Sequence, residues 1–188
     1  MSHARYAHTA TLLPDGKVLI TGGISSATSD AIGAAPSFSL ESSAELYDPA
    51  TGTFSAAGDL GGVRAAHTAT LLTNGKVLIT GGITGKSTSS PTAEIYDPVA
   101  GTFVPTGSMS TARSLHTATL LNTGKVLIVG DAVTAELYDA ATGSFVNTGA
   151  SSFNGTGHTA TLLMSGEVLI AGGGLVFSPS AVAETYEP

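Results

Sequence analysis

HTATLLPDGKVLITGG, residues 8–23, holds two short runs rich in Thr, Val, Ile and Leu, a turn between them and a Gly pair at the end. Such runs favour strands, and Asp15-Gly16 between them signals a tight hairpin. HTATLL returns at His67, His116 and His158, each time followed by a turn (TNGK, NTGK, MSGE) and then VLI. A second block, Ala-Glu-x-Tyr, begins at Ala44, Ala93, Ala135 and Ala183 and continues as YDPATGTF, YDPVAGTF, YDAATGSF and finally YEP. One unit is written four times.

The HTATLL starts lie 59, 49 and 42 residues apart, yet two internal distances are constant. Each His is 14 residues before the Gly that ends the second run (Gly22, Gly81, Gly130, Gly172), and each Ala-Glu is 23 before the next His. All variation falls between the Gly pair and Ala-Glu, in segments 24–43, 83–92, 132–134 and 174–182. A fixed frame with one elastic segment predicts strands that carry variable connections. The frame reads as four strands: HTATLL, KVLITG, the AELYD block and the GTF run. In Asp48-Pro49-Ala50-Thr51-Gly52, Pro and Gly stand where a turn needs them. Four-stranded antiparallel units at this period predict an all-β propeller, one domain over 1–188 with repeats near 1–59, 60–108, 109–150 and 151–188.

The Gly-Gly pair, the Tyr spaced after it and the trailing Gly-Thr-Phe resemble kelch repeats, particularly the kelch-like repeats of bacterial proteins, over nearly the whole chain. The chain has no Trp, and Phe54, Phe103 and Phe145 occupy the place where kelch blades often carry one. The resemblance implies a ring of six or seven blades and a role in binding. The fourth copy ends at YEP, before its GTF run, so the expectation is an open arc: part of a longer propeller or half of an eight-bladed homodimer.

Composition narrows the function. A net charge of -7 with seven Lys and Arg provides no basic stripe for nucleic acid. No apolar run reaches the roughly 18 residues that span a bilayer, and MSHARYAHTATLL lacks a basic segment followed by a long apolar core. The absence of Cys removes disulfides, thiolate metal sites and cysteine nucleophiles without identifying a compartment.

GGITGKSTSS, residues 81–90, looks like the start of a phosphate loop. A Walker loop needs G-x-x-x-x-G-K-[ST] between a strand and a helix; here Thr80 stands at the first Gly and a Ser/Pro stretch leads into another strand. The four repeated His residues are spaced by blades about 10 Å apart, too far to share a metal ion, and are expected to make one structural hydrogen bond each. The repeated Glu45, Glu94, Glu136 and Glu184 suggest pairing with Arg5, Arg64 and Arg113. No G-x-S-x-G elbow occurs. The copper-radical galactose oxidases among kelch-like enzymes need a Cys-linked Tyr that this chain cannot make. Asn154-Gly155-Thr156 fits a glycosylation pattern of low specificity. No catalytic residue, cofactor or metal is assigned.

Function is expected where the copies diverge. In an up-and-down blade the second-to-third connection and the link to the next blade emerge on one face. That face is expected to carry the candidate ligand-binding residues Arg5, Asp30, Phe38, Glu41, Arg64, Lys86, Arg113 and Phe177. The sequence therefore predicts a noncatalytic module recognising protein or glycan there. The competing reading is a carbohydrate-active or other hydrolytic propeller with its site at the central mouth.

Overall fold

The computed structural model describes residues 1–28, 37–85, 88–150, 155–175 and 178–188. These residues hold strands and turns and no helix. The first blade consists of β1 (Thr9–Leu12), β2 (Val18–Thr21), β5 (Ser43–Asp48) and β6 (Thr53–Asp59), in that order across the sheet. Between β2 and β5 the chain makes a separate hairpin of β3 (Ile24–Thr28) and β4 (Ser37–Leu40). The second blade orders β7 (Thr68–Leu71), β8 (Val77–Thr80), β9 (Ala93–Asp97) and β10 (Thr102–Pro105). The third orders β11 (Thr117–Leu120), β12 (Val126–Val129), β13 (Thr134–Asp139) and β14 (Ser144–Ala150). In the fourth, β15 (Thr156–Leu162) pairs with β16 (Val168–Leu175), and β16 pairs with both β17 (Ser178–Pro179) and β18 (Ala183–Tyr186). The four sheets form a four-blade propeller arrangement, with β1, β7, β11 and β15 of consecutive blades side by side.

Alternation along each strand puts one set of side chains on each face of its sheet. Leu13, Leu19, Ala44 and Leu60 of blade one meet Val77, Ile79 and Tyr96 of blade two in one apolar layer. Leu72, Leu78, Ala93 and Met109 meet Val126, Ile128 and Tyr138 in the next, and Leu121, Leu127, Val129 and Ala135 meet Val168 and Ile170 in the third. The core is thus three layers between four sheets. The Phe of each GTF run lies on the outer strand against the Tyr opposite it: ring centroids are 4.9 Å apart for Tyr47 and Phe54, 4.7 Å for Tyr96 and Phe103, and 4.8 Å for Tyr138 and Phe145. Stacking of this kind adds about 0.5–1.5 kcal/mol beyond burial.

The turns follow from local chemistry. Asp48 accepts from the Ala50 N–H at 2.8 Å through its side chain and from the Gly52 N–H at 2.8 Å through its carbonyl. Asp97 and Asp139 repeat the pattern, which closes the third-to-fourth hairpin of three blades. The elastic segment 24–43, expected as a loop, contains the β3–β4 hairpin. The segment's Ser, Ala and Thr stretch finds a partner strand within the same segment, and the hairpin's base is fixed by reciprocal bonds between Tyr6 and Ile24, 3.1 and 2.8 Å.

Candidate functional site

The variable segments and the links before each first strand do share a face, since they bond to each other. The Leu60 N–H donates to the Ser42 carbonyl at 2.8 Å and the Arg64 N–H to the Glu41 carbonyl at 3.1 Å. In the next blade the Met109 and Arg113 N–H groups donate to Pro91 and Ser90 at 2.9 and 3.2 Å. The Asp48, Asp97 and Asp139 turns belong to the other edge of the sheets, with the first-to-second hairpin turns.

Arg5, Arg64 and Arg113 hold these loop bases in place. Each guanidinium donates to the carbonyl of the Gly ending the second strand: Gly22 at 2.8 Å, Gly81 at 2.9 Å and Gly130 at 2.9 Å. Each also reaches the start of the third strand, at Ser43, Thr92 and Thr134, and pairs with Glu45, Glu94 or Glu136. The Glu side chains accept a third contact from the link: the Ser2 N–H at 2.7 Å, the Gly61 N–H at 2.7 Å and the Ser110 N–H at 2.8 Å. All three Arg are buried, Arg113 fully. Burial, opposed by the charge of Glu94, lowers the pKa of Arg64 below the ordinary guanidinium value. Position 155 carries Gly where this Arg would stand in the fourth copy.

The repeated histidines join blades. His67 Nε2 lies 3.0 Å from Thr9 Oγ1 and 2.9 Å from Thr21 Oγ1 of the preceding blade, and those hydroxyls are 2.7 Å apart. His116 makes the same contacts with Thr68 and Thr80, both at 3.1 Å, and His158 reaches Thr117 at 3.0 Å. The Nδ1 atoms of His67 and His116 are buried without a partner, so the network assigns the proton to Nε2, which faces the hydroxyls. Burial, helped by Arg64 for His67 and by Arg113 for His116, pushes both pKa values down to about 3. These rings are neutral interblade struts. Among the described residues no three His, Asp or Glu side chains converge to hold a metal ion.

The remaining candidates divide. Phe38 is 42% exposed on β4. Glu41 is half-buried and accepts from Ser43 Oγ at 3.1 Å; hydrogen bonding from Ser25 is the main reason its pKa is lowered. Asp30, Lys86 and Phe177 lie outside the described residues, as does Asn154 of the glycosylation pattern. Phe38 lines a cleft of about 220 Å³ with Leu40, Val63, Thr84 and Gly85. A second cleft of about 460 Å³ shares Val63 and Thr84 and extends past Arg64 and Glu94 to Pro105 and Thr106. The two clefts adjoin at Val63 and Thr84, between the β3–β4 hairpin and the second blade. Sequence reasoning missed Val63 and Thr84; Val63 precedes Arg64 at a position that is Ala before Arg5 and Arg113, which was the signal available.

The opposite edge has a cleft of about 430 Å³ among Pro14, Asn74, Lys76, Asp97 and Val99. It is built from turns, and its Lys76 and Asp97 are already paired at 2.9 Å. The variable face is the more distinctive surface because its lining differs between copies.

Residues 64–110, which span all four strands of the second blade, match the family model described as Kelch motif. No curated protein matches the chain. No helix among the described residues is long and apolar enough to cross a membrane. A kelch propeller suggests a protein-binding scaffold in general. The second blade is thus similar to a Kelch motif over residues 64–110, in a chain whose sheets form a four-blade β-propeller arrangement with three further repeats in the same register.

Proposed function

We propose that this propeller is a noncatalytic binding module that takes a protein segment in the groove over blades one and two. The observation that carries this reading is the groove lined by Phe38, Leu40, Val63 and Thr84, where side chains that do not repeat between copies surround a cleft beside a buried, braced Arg64–Glu94 pair. Exposed aromatic and aliphatic groups over a rigid base suit insertion of an apolar side chain from a partner. Of the proposed site residues, Phe38 and Glu41 would meet the ligand. Arg5, Arg64 and Arg113 would serve by positioning the loops, and Asp30, Lys86 and Phe177 fall within the variable segments of the sequence. Among the described residues, the buried Arg–Glu pairs and the rings of His67 and His116 are engaged in the repeated scaffold, which favours binding over hydrolysis.

Selection from a displayed-peptide library, run beside a glycan array and a panel of hydrolase substrates, tests the proposal. The expected result is peptide binders whose binding is lost in Phe38→Ala and Val63→Asp and retained in Lys76→Ala on the opposite edge. Turnover of any substrate, glycan binding alone, or binding insensitive to both groove variants would overturn it.

A further inference from the structure

A fold requires glycine where the backbone takes a positive φ or where a side chain has no room. Most glycines of the chain answer one of these demands. Among the described residues, Gly61, Gly62 and Gly85 have neither a positive φ nor a backbone atom in the way of a side chain. A Cβ on Gly62 would meet nothing within 4 Å, one on Gly85 only Thr88 Oγ1 at 3.9 Å, and one on Gly61 the tip of the Glu94 side chain at 3.3 Å. Gly107 and Gly155 also lack a positive φ, but a Cβ there would run into the Gly143 and Gly174 carbonyl oxygens. The blade frame itself accepts side chains at the positions of Gly61 and Gly62, which are Ser2 and His3 in the first link and Ser110 and Thr111 in the third. The equivalence is structural, since the N–H groups of Ser2, Gly61 and Ser110 each donate to the Glu of their own blade.

All three glycines line the two adjoining clefts: Gly85 the cleft of about 220 Å³ with Phe38 and Leu40, Gly61 and Gly62 the cleft of about 460 Å³. The N–H groups of Gly62 and Val63 donate to no described residue. Arg64 and Glu94 are the charged groups among the described residues that line either cleft, and they compensate each other. The terminal nitrogens of Arg64 hold Gly81, Thr92 and Glu94, and its Nε is buried. Both Glu94 oxygens already accept, one from Arg64 and one from the Gly61 N–H. The other polar side chains of the larger cleft are hydroxyls, including those of Thr84, Thr106 and Ser108.

We propose that these glycines are specificity determinants, keeping the clefts open for the main chain of an extended peptide segment that is uncharged where it crosses them and sets one apolar side chain among Phe38, Leu40 and Val63. The inference rests on the reading of this surface as a site for a protein segment. Glycine lets the main chain of a ligand come close, and the Gly62 and Val63 N–H groups supply donors for its carbonyls. A Lys, Arg, Asp or Glu entering the clefts would shed its water and find no free countercharge, so charge of either sign is penalised. Apolar, hydroxyl and amide side chains escape that penalty, because the lining offers them carbon and hydroxyl groups.

Fluorescence polarisation with peptides selected from the displayed library tests it, using Gly62→Leu and Gly62→Thr, the latter carrying the residue of the third link. Both variants are expected to melt with the wild-type chain, since the added side chain enters open space. Binding should weaken at least about tenfold in Gly62→Leu, and by a smaller factor in Gly62→Thr. A Lys or a Glu scanned through the peptide residues that cross the clefts should each weaken binding, and affinity should change less than about twofold between low and high salt. Peptides lost in Phe38→Ala yet indifferent to both Gly62 variants, peptides carrying a charge across the clefts, or a steep salt dependence would overturn this inference and leave the binding reading in place. No selected peptide, or peptides indifferent to Phe38→Ala, would overturn that reading and this inference with it. Should Gly62→Leu fail to fold, Gly62→Thr and the peptide scan decide.

Discussion

The imidazole of His67 in the second blade fills the space above Gly22 in the first, so that a methyl group at Gly22 would come within 2.9 Å of Cε1 and still closer to the Arg64 carbonyl oxygen. Gly22 has φ +59° and Gly172 has φ +76°, so Ala is strained at both positions, but only Gly22 is also crowded. Gly22→Ala is therefore expected to destabilise by about 1–3 kcal/mol more than Gly172→Ala. Urea unfolding of the two variants checks the difference, and equal losses would deny the His–Gly contact its role.

The struts should make stability depend on pH. His67 and His116 have folded pKa values depressed to about 3 from 6.5, so between those limits the unfolded chain binds more protons than the folded one. Stability is then intact above about pH 6.5 and falls as the pH drops toward 3, by about 1.4 kcal/mol per pH unit for each fully neutral His. Glu41 and Glu45, whose pKa values are also lowered, add loss of the same sign at the acid end. Chemical denaturation at pH 7, 6, 5 and 4 should show this decline, and replacing His67 and His116 with Gln should flatten it while lowering stability at pH 7.

The buried Arg113–Glu136 pair, 3.0 Å apart, ties a link to the start of β13. Arg113→Met would leave Glu136, 1% exposed, without its countercharge and is expected to cost about 3–5 kcal/mol. Adding Glu136→Gln should restore part of that loss. A double variant no more stable than Arg113→Met would show that the Arg acts through its carbonyl contacts at Gly130 and Thr134 instead.

On the variable face, Phe38→Ala removes an exposed ring and should change stability by no more than about 0.5 kcal/mol, while weakening any partner that uses the groove. Replacing residues 26–39 with a short turn should be similarly neutral, because surface loops cost little to lengthen or shorten. Removing all of 24–43 should not be neutral: it deletes the Glu41 and Ser42 carbonyls that accept from Arg64 and Leu60. Thermal melts of the two deletions separate these outcomes.

The repeat made the blades readable. Constant distances from His to Gly and from Ala-Glu to His fixed which residues share a strand, and Asp-Gly and Asp-Pro turns marked where strands reverse, because those signals act over a few residues of backbone. The Arg–Glu pairing was readable too, since both members recur in register. The hairpin inside 24–43 was not, because a Ser/Ala/Thr stretch occurring once has no register to reveal its partner. The candidate site was only partly legible: divergence between copies singled out the segment that holds Phe38 and Glu41, but gave Arg5, Arg64 and Arg113 no sign of their burial.

The four-stranded unit, its four copies and the segments in which they differ were legible from residue order alone, because each depends on spacing along one chain. What lies between copies was set by the tertiary structure: His67 and His116 each reach a Thr pair of the blade before, His158 reaches Thr117, and Val63 and Thr84 join Phe38 in one cleft. Those relations depend on side chains distant in the sequence that are brought together by the packing of one sheet on the next, which no local signal in the chain reports.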